Sequence, residues 1–177
     1  MFAIGFMSKI IVQLFLKFLK KEELEQVIIR GLVERKETLA VAESCTGGLL
    51  AHRLTNVPGS SAAFLAGFVT YSNQAKIDTL GVKARAIQKH GAVSVAVAEA
   101  MAKGARTRTG ATHALATTGI AGPDGGSKEK PVGTVFIALV SAEKKALVRQ
   151  FNFSSDRETF KQLVAQTAFN LLRERLR

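Results

Sequence analysis

The sequence predicts an α/β fold: a three-layer α/β/α sandwich around a mixed, mostly parallel five-stranded sheet. Three observations carry this. Short apolar runs that suit buried strands alternate with longer stretches of helical periodicity. The last two apolar runs, residues 134–141 and 146–153, are separated by a tight turn and read as an antiparallel hairpin. The chain has 177 residues and 47% hydrophobic content, enough for one domain with a proper core.

The elements follow in order. Residues 1–21 place Ile10, Ile11, Leu14, Phe15, Phe18 and Leu19 at helical spacing among lysines. They read as an amphipathic N-terminal extension to a domain spanning 22–177. The lysines interrupt it too often for a membrane span, and Lys-Lys-Glu-Glu stands where a secretory signal needs small residues. The favoured reading is a helix packed on the domain or on a second subunit, or an upstream start with Met7 as the true one. A membrane-surface helix is the alternative. Residues 22–36 continue as helix, with Leu24, Val27, Ile28, Leu32 and Val33 on one face.

Residues 39–42 form the first strand and 47–56 the next helix, closed by Asn56-Val57-Pro58-Gly59. Residues 64–71 are the second strand, and 74–80 a short helix carrying Lys76. A helix over 83–90 ends at Gly91, and Ser94 caps another over 95–108. Residues 113–118 are the third strand, running into the glycine-rich loop 119–126. After the hairpin, residues 156–175 close the fold as a helix with Phe160, Leu163, Val164, Thr167, Leu171 and Leu172 inward.

Composition narrows the function classes. Cys45 is the only cysteine, which rules out a disulfide framework and fits a reducing, cytoplasmic setting. His52, His90 and His113 are scattered, so no histidine metal site is expected, and no metal or cofactor is called. The net charge of +11 is compatible with nucleic acid, a membrane surface or a phosphorylated substrate. There is no tryptophan and one tyrosine, Tyr71, so a base-stacking platform is poorly supported and no specific nucleic acid is expected.

The chain is organised around residues 38–48, TLAVAESCTGG. A strand runs into a helix through a polar and glycine turn, which places Ser44 at a helix start with free N–H groups and partial positive charge. Taken alone, Ser44 or Thr46 reads as a helix cap. The polar endings of three strands shift that balance: Glu43-Ser44-Cys45-Thr46, Tyr71-Ser72-Asn73 and Thr117-Thr118-Gly119. In such sheets ligands bind at the carboxyl ends of strands.

A serine nucleophile needs a base, and Lys76 lies just past the second strand end. Ser–Lys pairs are a known variant of nucleophilic catalysis. Tyr71 is placed to hold the hydroxyl or pass the proton, and the N–H groups of Cys45 and Thr46 to hold an oxyanion. The plain alternative for Lys76 is a solvated surface lysine. Cys45 is a rival nucleophile without a histidine partner, and reads better as a small buried residue. The loop 119–126 matches no standard phosphate motif; it serves equally well as an anion-binding turn, with Lys128, Lys130 or Arg157 adding charge, or as a connection.

AESCTGG, GSSAAFLAGFVTYSNQAK, GAVS and TTGIAGPDGGSKEKPVGTV together resemble the CinA C-terminal domain family, in order from about Glu22 to the C-terminus. Stand-alone members of that family include nicotinamide mononucleotide amidohydrolases. The resemblance implies hydrolysis of the nicotinamide mononucleotide carboxamide to nicotinate mononucleotide and ammonia. It implies Ser44 as nucleophile and Tyr71 and Lys76 as its partners. Thr118, Gly119 and Gly122 would line the site; the substrate-binding set is completed by Cys45, Thr46, Gly47, Gly48, Asn73, Lys130 and Arg157. It implies no metal, and a homodimer or larger homo-oligomer. Two rivals stand beside this reading: a nucleotide-binding module without chemistry, and a nucleic-acid accessory protein of the competence or DNA-damage kind.

Overall fold

The computed structural model describes residues 22–142 and 144–177. The expectations for residues 1–21 lie outside the described residues. Helix α1 (Leu24–Arg35) leads to strand β1 (Leu39–Glu43), helix α2 (Leu49–Thr55), a 3₁₀ turn (Ser60–Ala62) and strand β2 (Phe64–Val69). Helices α3 (Asn73–Leu80), α4 (Ala84–His90) and α5 (Val95–Thr109) follow. Strands β3 (His113–Gly119), β4 (Thr134–Ser141) and β5 (Leu147–Asn152) and helix α6 (Arg157–Arg175) complete the chain.

The five strands lie in the order β2-β1-β3-β4-β5. Strand β1 is parallel to β2 and β3, whereas β4 is antiparallel to β3 and β5. Four strands therefore share one direction and β4 alone opposes them. The register sets Glu43 beside Val69 and Thr117, so the polar endings of β1, β2 and β3 emerge side by side.

Alternation along the strands builds the two outer layers. Leu39, Val41, Leu115, Ile137 and Leu139 pack with α1, α2 and α6. Ala40, Ala42, Ala114, Ala116 and Ala138 face the other way, toward Val97, Ala98, Met101, Ala102 and Ala105 of α5. Alanine on both surfaces lets α5 lie close to the sheet. Its Gly104 shows how close neighbours come: a Cβ there would fall 2.0 Å from the Leu80 carbonyl oxygen at the end of α3. Helix α3 is thus seated against α5 by backbone contact.

Caps fix the helix starts. Ser72 Oγ accepts from the Ala75 N–H, and Asp156 Oδ1 accepts from the Glu158 and Thr159 N–H groups at 2.9 Å each. The hydrogen bond from Thr159 holds the Asp156 carboxyl below its ordinary value. Three expectations need correction. Val33 and Leu163 are exposed, because the inward faces are Leu24, Ile28, Ile29 and Leu32 in α1, and Phe160, Val164, Ala165, Ala168, Phe169, Leu171 and Leu172 in α6. Thr167 is half-buried. Helix α2 begins at Leu49, two residues later than expected, because Gly47 and Gly48 adopt positive φ (61° and 98°) and form the turn itself. Among the described residues no helix is long and apolar enough to cross a membrane.

Candidate active site

The end of β1 builds the site. Glu43 is fully buried and does the capping expected of Ser44 or Thr46. Its Oε2 accepts from the N–H groups of Gly48 and Leu50 at 2.9 and 3.1 Å, and its Oε1 from that of Ala51 at 2.9 Å. A carboxylate is a strong partner for a helix N-terminus. It also occupies the electropositive end of α2, so that end does not face Ser44 as the sequence reading had it.

Ser44, relieved of capping, meets Lys76. The Lys76 Nζ lies 3.1 Å from Ser44 Oγ, 2.8 Å from the Thr70 carbonyl oxygen and 3.1 Å from the Tyr71 carbonyl oxygen. Lys76 is 1% exposed and Ser44 9% exposed. The solvated-surface alternative for Lys76 is therefore wrong: α3 turns its one lysine inward. Burial pushes the Lys76 amine below its ordinary value.

The three neighbours of Nζ have a chemical reading. An ammonium has three donors and satisfies all three oxygens. A neutral amine has two hydrogens and one lone pair. The two carbonyls have no hydrogen to give, so they take the two N–H groups. The lone pair is then left for the one partner that carries a proton, Ser44 O–H. The arrangement fits both protonation states without moving a heavy atom.

The other expected residues divide. Cys45 is buried, and burial pushes its thiol up to about 12, which suits a packing residue and not a nucleophile. Thr46 is buried with its hydroxyl on Thr117 Oγ1 at 2.8 Å, so its side chain braces β1 against β3. Among the described residues the Thr46 N–H has no backbone acceptor. Thr118 Oγ1 donates to the Ala92 carbonyl at 2.9 Å and ties β3 to the segment before α5. At Gly119 a Cβ would fall 2.7 Å from the Thr134 carbonyl oxygen, and at Gly122 2.5 Å from a Val132 methyl, so both glycines permit close packing of the loop. Asn73 is exposed at the start of α3.

Tyr71 departs from expectation. Its residue is 62% exposed, and its hydroxyl accepts from Arg157 Nη2 at 2.9 Å. Its contact with Lys76 is through the main-chain carbonyl. Arg157 Nη1 donates to the Gly122 carbonyl at 2.9 Å, so one guanidinium links the end of β2 to the loop 119–126. Lys130 Nζ instead donates to the His90 carbonyl at 2.9 Å. Lys161 was missed: a Cβ placed on Gly47 would meet its Nζ at 3.7 Å. Arg157 and Lys161 stand four apart on α6 and line one groove of about 460 Å³ with Leu49, Glu158 and Gln162. The helical spacing was legible; the placement of α6 beside the β1 turn was not.

The family pattern described as the CinA C-terminal domain matches residues 21–176. The chain belongs to the CinA C-terminal domain family. It is 54% identical over 160 residues to a CinA-like protein of Geotalea daltonii, which covers 90% of this chain and 38% of that relative. A CinA-like protein of Geobacter sulfurreducens is 50% identical over 86% of this chain and 37% of its own length. The chain thus spans less than two-fifths of these curated relatives. Among solved structures, the competence/damage-inducible protein CihA of Agrobacterium tumefaciens superposes with a TM-score of 0.83 at 40% identity, covering 89% of this chain and 98% of that one. A CinA superfamily protein of Klebsiella pneumoniae gives 0.83 at 36% identity, over 86% and 95%. These CinA structures share the mixed five-stranded sheet flanked by helices found here.

Proposed function

We propose that this CinA domain hydrolyses the carboxamide of nicotinamide mononucleotide to nicotinate mononucleotide and ammonia. The observation that carries the reading is the buried Lys76 Nζ 3.1 Å from Ser44 Oγ, with two carbonyls taking its hydrogens.

Ser44 Oγ attacks the carboxamide carbon as Lys76 Nζ takes its proton. The carbonyl electron pair moves onto oxygen, and that oxyanion is assigned to the N–H groups of the turn after β1, at Cys45 and Thr46. Lys76 then returns the proton to the leaving nitrogen, the C–N bond breaks and ammonia departs. The nicotinoyl ester on Ser44 is cleaved by water, whose proton passes to Lys76 and on to Ser44. The 5′-phosphate is assigned to Arg157 and Lys161, whose groove borders the turn after Ser44. Cys45 and Tyr71 take no proton in this scheme.

We further propose that the domain acts as a homo-oligomer. The edge strand β2 leaves Leu65 and Val69 exposed on one face, a surface that a second copy would cover. Molar mass by light scattering tests this.

Ammonia release from nicotinamide mononucleotide by the purified protein tests the activity. Turnover that is lost in Ser44→Ala supports it. Binding of the nucleotide with no ammonia would leave a nucleotide-binding module instead.

A further inference from the structure

A second polar cluster lies at the opposite pole of the sheet. His113 opens β3 and Gly119 ends it, so the two poles are separated by about 20 Å of strand. His113 is buried. Its Nδ1 lies 2.9 Å from Ser141 Oγ, and its Nε2 2.9 Å from Glu37 Oε2. Ser141 is buried too, at the end of β4. The three residues form the floor of a cavity of about 360 Å³ whose walls carry Arg35, Lys144 and Arg175, with Arg177 at its edge.

The walls are electrostatically unbalanced. Among the described residues Arg35 donates to the Gly31 carbonyl, Lys144 to the Arg175 carbonyl and Arg175 to the Lys145 carbonyl. Among the described residues none of these three cations has a carboxylate partner. The one acidic side chain in the lining, Glu37, is engaged by His113. Glu143 lies outside the described residues.

We propose that this cavity is a binding site for a small polyanion, a phosphate or polycarboxylate, taken up together with a proton on His113. A neutral imidazole has one N–H and one acceptor nitrogen. With Nε2–H donating to Glu37, Nδ1 takes the Ser141 O–H, and the hydroxyl has no hydrogen to offer the cavity. A protonated imidazole donates from both nitrogens. Ser141 Oγ then accepts from His113, and its own hydrogen turns toward the ligand. The charged groups facing His113 are Glu37 on one side and Arg35, Lys144, Arg175 and Arg177 on the other, and an anion bound among those four cations would neutralise them beside the imidazole.

The test uses the full chain with inorganic phosphate and citrate as probes. Chemical shifts of the backbone amides locate binding, and calorimetry in two buffers of different ionisation enthalpy counts protons. The expected result is shifts centred on Thr112, His113, Ser141 and Ala142 and net proton uptake near neutral pH. Arg35→Gln with Arg175→Gln should weaken binding at least ten-fold, and His113→Gln should abolish the uptake while amide spectra show an intact fold. Glu143→Gln should retain binding. Shifts confined to the Arg157 groove or scattered over all basic residues would overturn the proposal. So would binding here without proton uptake, or a DNA duplex that binds these arginines more tightly than either probe at physiological salt.

Discussion

The guanidinium of Arg157 holds the phenol of Tyr71 at 2.9 Å and the Gly122 carbonyl at the same distance. The phenol is thereby a strut between the end of β2 and the glycine-rich loop, and Lys76 meets Tyr71 only through its backbone. Tyr71→Phe should therefore leave kcat within a few-fold and raise KM about five-fold, the loss expected for one hydrogen bond. A kcat loss of a hundred-fold with unchanged KM would show that the phenol carries a proton.

Ser44→Ala should remove turnover by several orders of magnitude while leaving the thermal transition in place, because the covalent path is lost and Glu43 still caps α2. Cys45→Ala should keep near-normal turnover. With its thiol pushed up to about 12, Cys45 should also resist iodoacetamide at pH 8 in the folded protein and react on unfolding. The reverse pattern in activity assays would move the nucleophile to Cys45.

The depressed Lys76 amine gives two pH effects of known sign. The proposed reaction needs the neutral amine, so kcat/KM should rise with pH along a limb centred below the ordinary lysine value of about 10.4. Stability should rise in the same direction. Below the folded-state value both states carry the charge, and the folded one carries it buried. Between that value and the unfolded one, only the unfolded chain binds the proton, so unfolding free energy increases with pH. Lys76→Met should flatten this rise and abolish turnover. A rate profile flat in that range would contradict the assignment.

Under the proposed reaction the substrate would supply its own correction to Lys76. The pyridinium nitrogen of nicotinamide mononucleotide carries a permanent charge about 6 Å from a base at the carboxamide. At an effective dielectric near 20, that costs an ammonium about 3 kcal/mol, or about two pKa units. A reduced-ring analogue that keeps the phosphate should bind and yet turn over far more slowly, with the basic limb in kcat shifted up. Equal turnover for charged and neutral rings would mean that the protein alone sets the amine.

Glu43→Gln should cost about 2–3 kcal/mol, since a buried carboxylate serving three N–H groups becomes an amide with one acceptor oxygen. In a domain of this size that lowers Tm by about 4–12 °C. An unchanged melting curve would show that the turn caps itself.

Much of this was legible in the chain. Strand periodicity placed β1, β3 and β4 almost to the residue, and the three polar strand endings do emerge together. What periodicity cannot reveal is direction at a turn. Glu43 was read as one of several polar residues, yet its alternation toward α2 makes it the cap and leaves Ser44 to face Lys76. Tyr71 was assigned by its hydroxyl, whereas the strand places the carbonyl inward. Lys161 depends on how α6 lies beside the turn at Gly47, a relation between residues more than a hundred positions apart. His113, Ser141 and Glu37 likewise meet only once β1, β3 and β4 are neighbours.

The contact between Gly104 and Leu80 decides what can be moved. The Ser44–Lys76 pair looks like a portable device of two side chains, but the amine is aimed by a helix resting on a bare backbone, where even one methyl group would fall 2.0 Å from a carbonyl oxygen. Gly104→Ala is remote from Ser44, yet its methyl group would push on the Leu80 carbonyl at the end of the helix that carries Lys76. Anyone grafting this chemistry onto another scaffold would have to carry over α5 with its notch as well as the pair, and an evolving sequence faces the same restriction at position 104.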